Sequence, residues 1–177
     1  GQAVDQAVTL GAKYVSNSYG VPGETPDETT FDHYYEHPGV AVTASTGDAG
    51  NVTNWPATNP KVVAVAGTTL NQDSGSPRGW DESAWADGGS GCSLYEARPD
   101  YQQGINTNCP DNKAIGDISA DADPNTGLGI YEGGGWAQYG GTSLSSPLIA
   151  AMYALAGTPV PGTYPVSYPY AKPSALN

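Results

Sequence analysis

Residues 40–50 read Val-Ala-Val-Thr-Ala-Ser-Thr-Gly-Asp-Ala-Gly, an apolar run that passes directly into a turn. A continuous run of small apolar residues is typical of a strand that is buried on both faces of a parallel sheet. Glycine and aspartate favour turns, so the extended segment is expected to end before them. We therefore predict a buried parallel strand over residues 40–45 that leads into a polar turn.

The segments around this strand alternate between helical and extended patterns. Apolar residues three and four positions apart predict an amphipathic helix over residues 3–10, capped by Gly11, before a β-prone run over 13–20. A second helix is predicted over residues 25–36, with its acidic residues first, and residues 61–70 repeat the buried-strand pattern. This order predicts an α/β fold, a doubly wound and mostly parallel sheet with helices on both faces, whose functional residues gather at the carboxyl ends of strands.

The second half of the chain has weaker patterning. Residues 71–139 are rich in glycine, aspartate, asparagine and aromatic residues, which predicts loops and short strands rather than a second domain. Residues 143–156 predict a helix that is apolar over most of its circumference and therefore central and buried. Residues 158–177 contain five prolines and three tyrosines and show no regular pattern.

The charge balance of the chain narrows the possible functions. Eighteen acidic residues stand against six basic ones, for a formal net charge of −12. Such a surface repels phosphate backbones and anionic lipid, so nucleic acid and membrane surfaces are poor partners. No apolar stretch approaches the roughly 20 residues of a membrane helix, and the aromatic, glycine-rich composition is typical of secreted proteins. We expect an extracellular protein suited to acidic surroundings.

The chain has two cysteines, Cys92 and Cys109, at the ends of a loop-like stretch. A disulfide that closes this loop would stabilise the fold by about 3 kcal/mol. Metal binding would need further cysteines or histidines nearby, and the sequence has none there. We predict a disulfide, and a free buried pair is the alternative.

The strongest local motif is Gly-Gly-Thr-Ser-Leu-Ser-Ser-Pro over residues 140–147. Small residues before Ser143 allow a substrate to approach closely, and the positive end of the following helix would stabilise negative charge during acyl transfer. These features suit a nucleophilic serine. The alternative is that the hydroxyl only caps the helix, because serine and threonine are common at helix starts.

Three segments together carry a family resemblance. Gly-Thr-Ser-x-x-x-Pro around Ser143 is similar to the nucleophile motif of the subtilisin-like clan, and residues 18–20, Ser-Tyr-Gly, resemble its cleft-lining strand. Residues 45–50 carry Asp48 where ordinary subtilisins have an oxyanion-hole asparagine, which resembles the sedolisin family of serine-carboxyl peptidases. The resemblance implies a subtilisin-like fold and a serine-type endopeptidase that acts on peptide or protein substrates. It assigns catalytic roles to Ser143 and Asp48, and substrate-binding roles to Ser18, Tyr19, Gly20, Gly141 and Thr142.

An aspartate can donate a hydrogen bond to an oxyanion only while it is protonated. This requirement fits an acidic protein that works at low pH. The alternative role for Asp48 is that of a turn residue that binds its own backbone.

The resemblance also implies parts that the sequence does not show. Sedolisins activate their serine with a glutamate and an aspartate on an upstream helix, whereas no glutamate precedes Ser18 and the one aspartate there is Asp5. The family's calcium loop after the nucleophile helix has no counterpart either. We therefore expect residues 1–177 to be the C-terminal two-thirds of an incomplete catalytic domain. Alone it would be inactive, it would bind no cofactor itself, and it would need a complementary N-terminal fragment, with calcium expected in the complete enzyme.

Two readings from other functional classes stay open. The first is a degenerate peptidase that serves as a folding partner or inhibitor. The second is a non-catalytic module that binds peptide or carbohydrate in a cleft lined by tyrosines and by Trp55, Trp80, Trp85 and Trp136. Residues 117–123 hold three aspartates, which are interpreted as turn-capping or solvated groups rather than as a cation site.

Overall fold

A computed structural model describes residues 1–175 of the chain, so the last two residues of the predicted domain lie outside the described part. Its helices are α1 (Gln2–Thr9), α2 (Thr142–Ala156) and α3 (Tyr168–Ala171), and the 3₁₀ helices are Glu28–Tyr35, Asp100–Gln102, Pro165–Ser167 and Pro173–Ala175. Its strands are β1 (Tyr14–Asn17), β2 (Val21–Pro22), β3 (Ala41–Ser45), β4 (Asn54–Trp55), β5 (Val63–Gln72), β6 (Trp80–Ala84), β7 (Gly91–Ala97), β8 (Asn112–Ile115), β9 (Ile118–Asp121), β10 (Leu128–Glu132) and β11 (Gly135–Tyr139).

The central sheet has five strands and is mostly parallel, as predicted. Its order is β1-β3-β5-β6, and β9 also pairs with β5. The pairs β1–β3, β3–β5 and β5–β9 are parallel, whereas β5–β6 is antiparallel. Because β1, β3 and β5 run in the same direction, the turns that follow β1 and β3 lie at one edge of the sheet.

Successive side chains of the sheet strands point to opposite faces, and each face carries one apolar cluster. Val42 and Ala64 join Val4 of α1 on one face, while Val65 joins Ile149 of α2 on the other. Burying one such aliphatic side chain stabilises the fold by about 1.5–3 kcal/mol. The predicted doubly wound arrangement, with helices on both faces of the sheet, is therefore confirmed.

Helix α2, which begins with the Ser143 motif, is buried as its composition predicts only in its first half. Its first half packs on the sheet, where Ser145 and Ser146 are fully buried. Its C-terminal half leaves Met152 exposed, and Leu155 is 88% exposed. The prediction of a central, buried helix is wrong for this half, because the sheet covers one side of α2 and no described residue covers the other.

Two segments differ from their predicted secondary structure. The helix expected over residues 25–36 is a 3₁₀ helix, Glu28–Tyr35, in which the Thr30 hydroxyl donates to the Asp27 carbonyl at 2.6 Å. Such side-chain bonds compete with regular α-helical bonding. The described part of the proline-rich tail contains short helices, and Val166 of the 3₁₀ helix Pro165–Ser167 is fully buried in one apolar cluster with Ile149.

The region predicted to be loops contains a disulfide and a pair of antiparallel strands. Cys92 and Cys109 form a disulfide with a Cα–Cα distance of 5.5 Å, so the prediction of a bridge is confirmed and the free-pair alternative is wrong. The bridge lies beside the antiparallel pair β7–β8. None of the helices within residues 1–175 has the length and apolar character that a bilayer span needs.

Candidate active site

The turn after β3 meets the N-terminus of α2. The Asp48 Oδ1 atom accepts a hydrogen bond from the Thr142 backbone N–H at 2.8 Å and another from the Thr142 hydroxyl at 2.8 Å. Because α2 begins at Thr142, this carboxylate satisfies one of the orphan N–H groups at the helix start. Asp48 therefore lies on the same side of the molecule as Ser143, the next residue of the helix.

Thr142 connects the start of α2, through its hydroxyl, to two residues of the turn after β3. Its hydroxyl accepts a hydrogen bond from the Gly47 N–H at 3.0 Å while it donates to Asp48. Its side chain is buried and faces the 47–48 turn rather than solvent. The backbone N–H and the hydroxyl of Thr142 both bond within the protein, so Thr142 positions the turn against the helix, and its substrate contact stays a prediction.

Gly141 allows the carboxyl group of Asp48 to come close. Its φ angle is +91°, a conformation that side chains disfavour. A Cβ atom at this position would lie 2.8 Å from the Asp48 Oδ2 atom, closer than Cβ contacts occur. Only glycine fits here without displacing Asp48.

Ser143 is exposed and lines a cavity of about 210 Å³. As the second residue of the 15-residue helix α2, it stands where the free N–H groups and the positive end of the helix dipole lie. The Ser143 hydroxyl and the free N–H groups of the helix start thus lie at one open cavity. The other residues that line it are Ile130, Glu132, Tyr139, Gly140 and Leu144.

One wall of this cavity is a β-hairpin that was not predicted from the sequence. Strands β10 and β11 pair around the tight turn at Gly133 and Gly134. The Tyr139 hydroxyl donates to the Glu132 Oε2 atom at 2.7 Å, and this bond raises the pKa of Tyr139. Two extended runs on either side of consecutive glycines were the signal that could have identified this hairpin.

Buried serines of α2 fix its start against three strands of the sheet. The Ser146 hydroxyl lies 3.0 Å from the Ser16 hydroxyl and 2.9 Å from that of Thr43. The Ser145 hydroxyl donates to the Ala120 carbonyl at 3.0 Å. These bonds connect α2 to β1, β3 and β9, so Ser143 is carried on a rigid element.

The Ser-Tyr-Gly segment follows β1 directly and is exposed. It therefore lies at the sheet edge that also carries the Asp48 turn. The Tyr19 hydroxyl lies 3.0 Å from the Tyr35 hydroxyl, and Gly20 packs against the side chain of Asn54. The structure brings this segment to the correct edge but shows no hydrogen bond between it and Ser143.

The three aspartates of residues 117–123 serve the fold. Asp117 accepts bonds from the Ala64 N–H at 2.7 Å and the Tyr170 hydroxyl at 2.7 Å, and Asp123 accepts a bond from the Thr69 hydroxyl at 2.9 Å. Across residues 1–175 no three acidic, histidine or cysteine side chains form a group that could hold a metal ion. The described residues therefore do not supply the calcium site that the resemblance implies for the complete enzyme.

The tryptophans do not line one cleft. Trp55 packs edge-on against Tyr35 at 5.2 Å between ring centres, on the apolar cluster of α1. Trp136 packs on Tyr131 at 5.6 Å in the β10–β11 hairpin and is 76% exposed. Trp136 stands in the hairpin that forms one wall of the Ser143 cavity, but no tryptophan lines the cavity itself.

Comparison with curated proteins finds three peptidases. The chain is 40% identical to sedolisin of Pseudomonas sp. (strain 101) over 111 residues and 36% identical to xanthomonalisin of Xanthomonas sp. (strain T-22) over 117 residues. It is 33% identical to kumamolisin of Bacillus sp. (strain MN-32) over 137 residues. These matches cover 57%, 56% and 66% of this chain but 19%, 14% and 24% of those proteins. No family profile matches the chain.

Solved structures give the same relationship. Pseudomonas sedolisin, a serine-carboxyl proteinase complexed with two molecules of pseudo-iodotyrostatin, matches with a TM-score of 0.76 at 28% identity, over 99% of this chain and 56% of that one. The S41 psychrophilic protease matches with a TM-score of 0.53 at 28% identity, over 86% of this chain and 45% of that one. The chain thus spans less than a quarter of the curated relatives and about half of the solved sedolisin chain.

Proposed function

We propose that this chain, which belongs to the sedolisin family of serine-carboxyl peptidases, forms part of a secreted serine-type endopeptidase that cleaves peptide bonds in acidic surroundings. The observation that carries the proposal is the contact between Asp48 and Thr142, one residue before Ser143. This contact supports the proposal because it holds the Asp48 carboxyl at the start of the helix on which Ser143 stands.

In the proposed reaction, the Ser143 oxygen forms a bond to the carbonyl carbon of the scissile peptide. The carbonyl π electrons move to its oxygen, which becomes an oxyanion, and the serine proton passes to a base. Collapse of this intermediate breaks the C–N bond, expels the protonated amine and leaves an acyl group on Ser143. Water then hydrolyses that ester.

Asp48 has one carboxyl oxygen left for the oxyanion. Oδ1 accepts both bonds from Thr142, while Oδ2 points toward the Gly141 backbone at the helix entrance. A protonated Oδ2 would donate to the oxyanion together with the N–H groups of the helix start. Because only the protonated form donates, activity should fall as the pH rises toward neutrality.

The base is expected from a complementary segment. Asp5, the aspartate that precedes Ser18, pairs with His37 at 3.0 Å on the face of the sheet opposite α2, so it is too remote to accept the serine proton. General-base assistance contributes about 10²- to 10⁴-fold, so the chain by itself should show negligible turnover. The proposed partner is the family's upstream helix with its glutamate and aspartate.

Substitution of the nucleophile tests this function. The chain is combined with the complementary segment and assayed on an unstructured protein substrate from about pH 3 to pH 7. Ser143→Ala should reduce turnover by about 10³-fold or more, because the acyl-enzyme cannot form. Ser119→Ala, at an exposed serine of β9, is the matched control and should leave turnover unchanged. Full activity of Ser143→Ala would refute the assignment.

One observation favours a second function, that of a non-catalytic peptide-binding protein. The exposed Trp136 and Tyr131 pair stands in the hairpin that walls the Ser143 cavity. Under this reading Ser143 would not react with a serine-directed probe even with the complementary segment present. Peptide binding would then be lost in Trp136→Ala and kept in Ser143→Ala.

A further inference from the structure

Four carboxyl groups converge away from the Ser143 cavity, between the 3₁₀ helix 28–35 and β7. Glu28 and Asp32 lie on the 3₁₀ helix, Glu24 precedes it and Glu96 lies on β7. Glu28 is 5% exposed and Glu96 is 8% exposed. Carboxylates are rarely buried unless a cation or a hydrogen-bond donor compensates for the lost water.

Two of these groups each have a buried oxygen without a donor. Neither Glu28 Oε1 nor Glu96 Oε1 has a hydrogen-bond partner within residues 1–175. The other Glu28 oxygen, Oε2, accepts a bond from the Thr25 N–H at 2.9 Å. The Glu28 side chain also interacts with the carboxyl of Glu24, and the Glu96 side chain interacts with the carboxyl of Asp32. Two ionised carboxylates cannot bond to each other, so each pair lacks one proton.

The remaining contacts show which member of each pair accepts. Glu24 accepts bonds from the Leu94 N–H at 2.8 Å and the Thr53 hydroxyl at 2.9 Å, and Asp32 accepts one from the Trp55 indole N–H at 3.1 Å. These donors favour the ionised forms of Glu24 and Asp32 in each pair. The proton therefore belongs on Glu28 and Glu96.

We propose that Glu28 and Glu96 each bind a proton in the folded chain and donate it to Glu24 and Asp32, so that two carboxyl–carboxylate pairs form an acid-dependent clamp. The clamp joins the 24–35 segment to β7. It binds protons as its ligand and does not depend on peptidase activity.

The direction of the pH effect follows from burial and from the charges around each group. Burial raises the pKa of Glu28 to about 7; the hydrogen bond from the Thr25 N–H opposes this rise, and Glu24 and Asp32 add to it. Burial raises the pKa of Glu96 to about 8, Asp32 and Glu24 add to it, and Lys113 of β8 opposes it.

The folded chain thus holds more protons than the unfolded chain between the ordinary glutamate pKa of 4.5 and these values. The clamp's contribution to stability is complete below about pH 4.5, and it is lost as the pH rises through about 7 and 8.

The clamp has a consequence at the cleft. Tyr35, the last residue of the 3₁₀ helix, holds Tyr19 through their hydroxyl groups at 3.0 Å. When the clamp opens near neutral pH, the 24–35 segment loosens, and the Ser-Tyr-Gly segment loses this support. The same protons that stabilise the fold thus order one side of the candidate cleft.

The double substitution Glu28→Gln and Glu96→Gln tests the clamp. Each amide supplies a permanent donor in place of the proton, so the variant should unfold less readily than the wild type at about pH 8. The wild-type unfolding equilibrium constant should rise by about tenfold or more between about pH 5 and pH 8 relative to this variant. Asp27→Asn with Asp111→Asn removes the same charge from exposed positions nearby and should keep the wild-type pH dependence. A pH dependence of the glutamine variant equal to that of this control would refute the clamp.

A second measurement needs no variant. The side-chain carboxyl carbons of the folded wild-type chain are followed by NMR as the pH is raised. Two glutamate signals should titrate near 7 and 8, apart from the others. If every glutamate titrates near its ordinary pKa of 4.5, the proposal is wrong even if the substituted chains fail to fold.

Discussion

Asp48 and Glu28 both carry carboxyl groups, but the chain surrounds them differently. Asp48 is exposed and accepts two bonds from Thr142 through one oxygen, while its other oxygen lies beside Gly141. Glu28 is buried, and one of its oxygens has no donor among the described residues. A substrate can therefore reach a proton on the exposed carboxyl of Asp48, whereas a proton on the buried carboxyl of Glu28 is out of its reach.

Under the two proposals, acidity would serve two purposes in this molecule. At Asp48 it would supply a hydrogen-bond donor for chemistry. At Glu28 and Glu96 it would stabilise the 24–35 segment, which supports Tyr19 through Tyr35. Both effects favour low pH, so the two regions can be separated only by changing one of them at a time.

The largest expected effect comes from changing Asp48. In the chain combined with its complementary segment, Asp48→Ala should lower kcat/KM by about 10²- to 10³-fold, as loss of an oxyanion donor does elsewhere. Asp48→Asn carries an amide donor at every pH, so its activity should persist at neutral pH and vary less with pH. An Asp48→Ala variant with wild-type kcat/KM would leave the carboxyl group only its capping role.

A smaller effect is expected at Gly141. Gly141→Ala should destabilise the fold by about 1–3 kcal/mol, because its φ of +91° is strained for alanine and the new Cβ meets Asp48 Oδ2. Thermal unfolding measures this cost. Gly134→Ala, at a similar φ of +88° but with open space around it, is the control that separates backbone strain from the clash with Asp48. Equal losses at both positions would show that the close approach of Asp48 does not matter.

The smallest effect is expected on the exposed side of α2. Leu155→Gln should change the free energy of unfolding by less than about 0.5 kcal/mol, because the leucine is 88% exposed. Ile149→Ala, on the buried side of the same helix, should cost about 2–5 kcal/mol. Urea unfolding of the two variants compares the faces. A large loss at Leu155 would mean that this face is covered in solution.

Much of the fold was predictable because it follows local patterns. The apolar runs over 40–45 and 61–70 became β3 and β5, and the glycines before Ser143 marked the start of α2. The depth to which α2 is buried was not predictable, because composition records that a helix is apolar but not how many of its sides a sheet covers. The 3₁₀ form of residues 28–35 depends on hydroxyl bonds such as that of Thr30, which helical patterning does not represent.

The candidate site was predictable only in part. Ser143 and Asp48 stand in motifs, and the structure places both at the start of α2. Glu132 lines the cavity only because the β10–β11 hairpin packs beside Ser143. The proposed proton positions of Glu28 and Glu96 depend on the packing of β7 against a segment that lies far earlier in the chain. Such contacts are set by tertiary packing, and no local pattern encodes them.

The most direct test of the central claim is the site at which a serine-directed covalent probe reacts. The chain and its complementary segment are treated with the probe at about pH 4 and digested, and the labelled residue is identified by mass spectrometry. We predict a single label on Ser143 that Asp48→Ala strongly reduces. A label on another serine, or none on Ser143 under conditions where the pair is folded, would contradict the account.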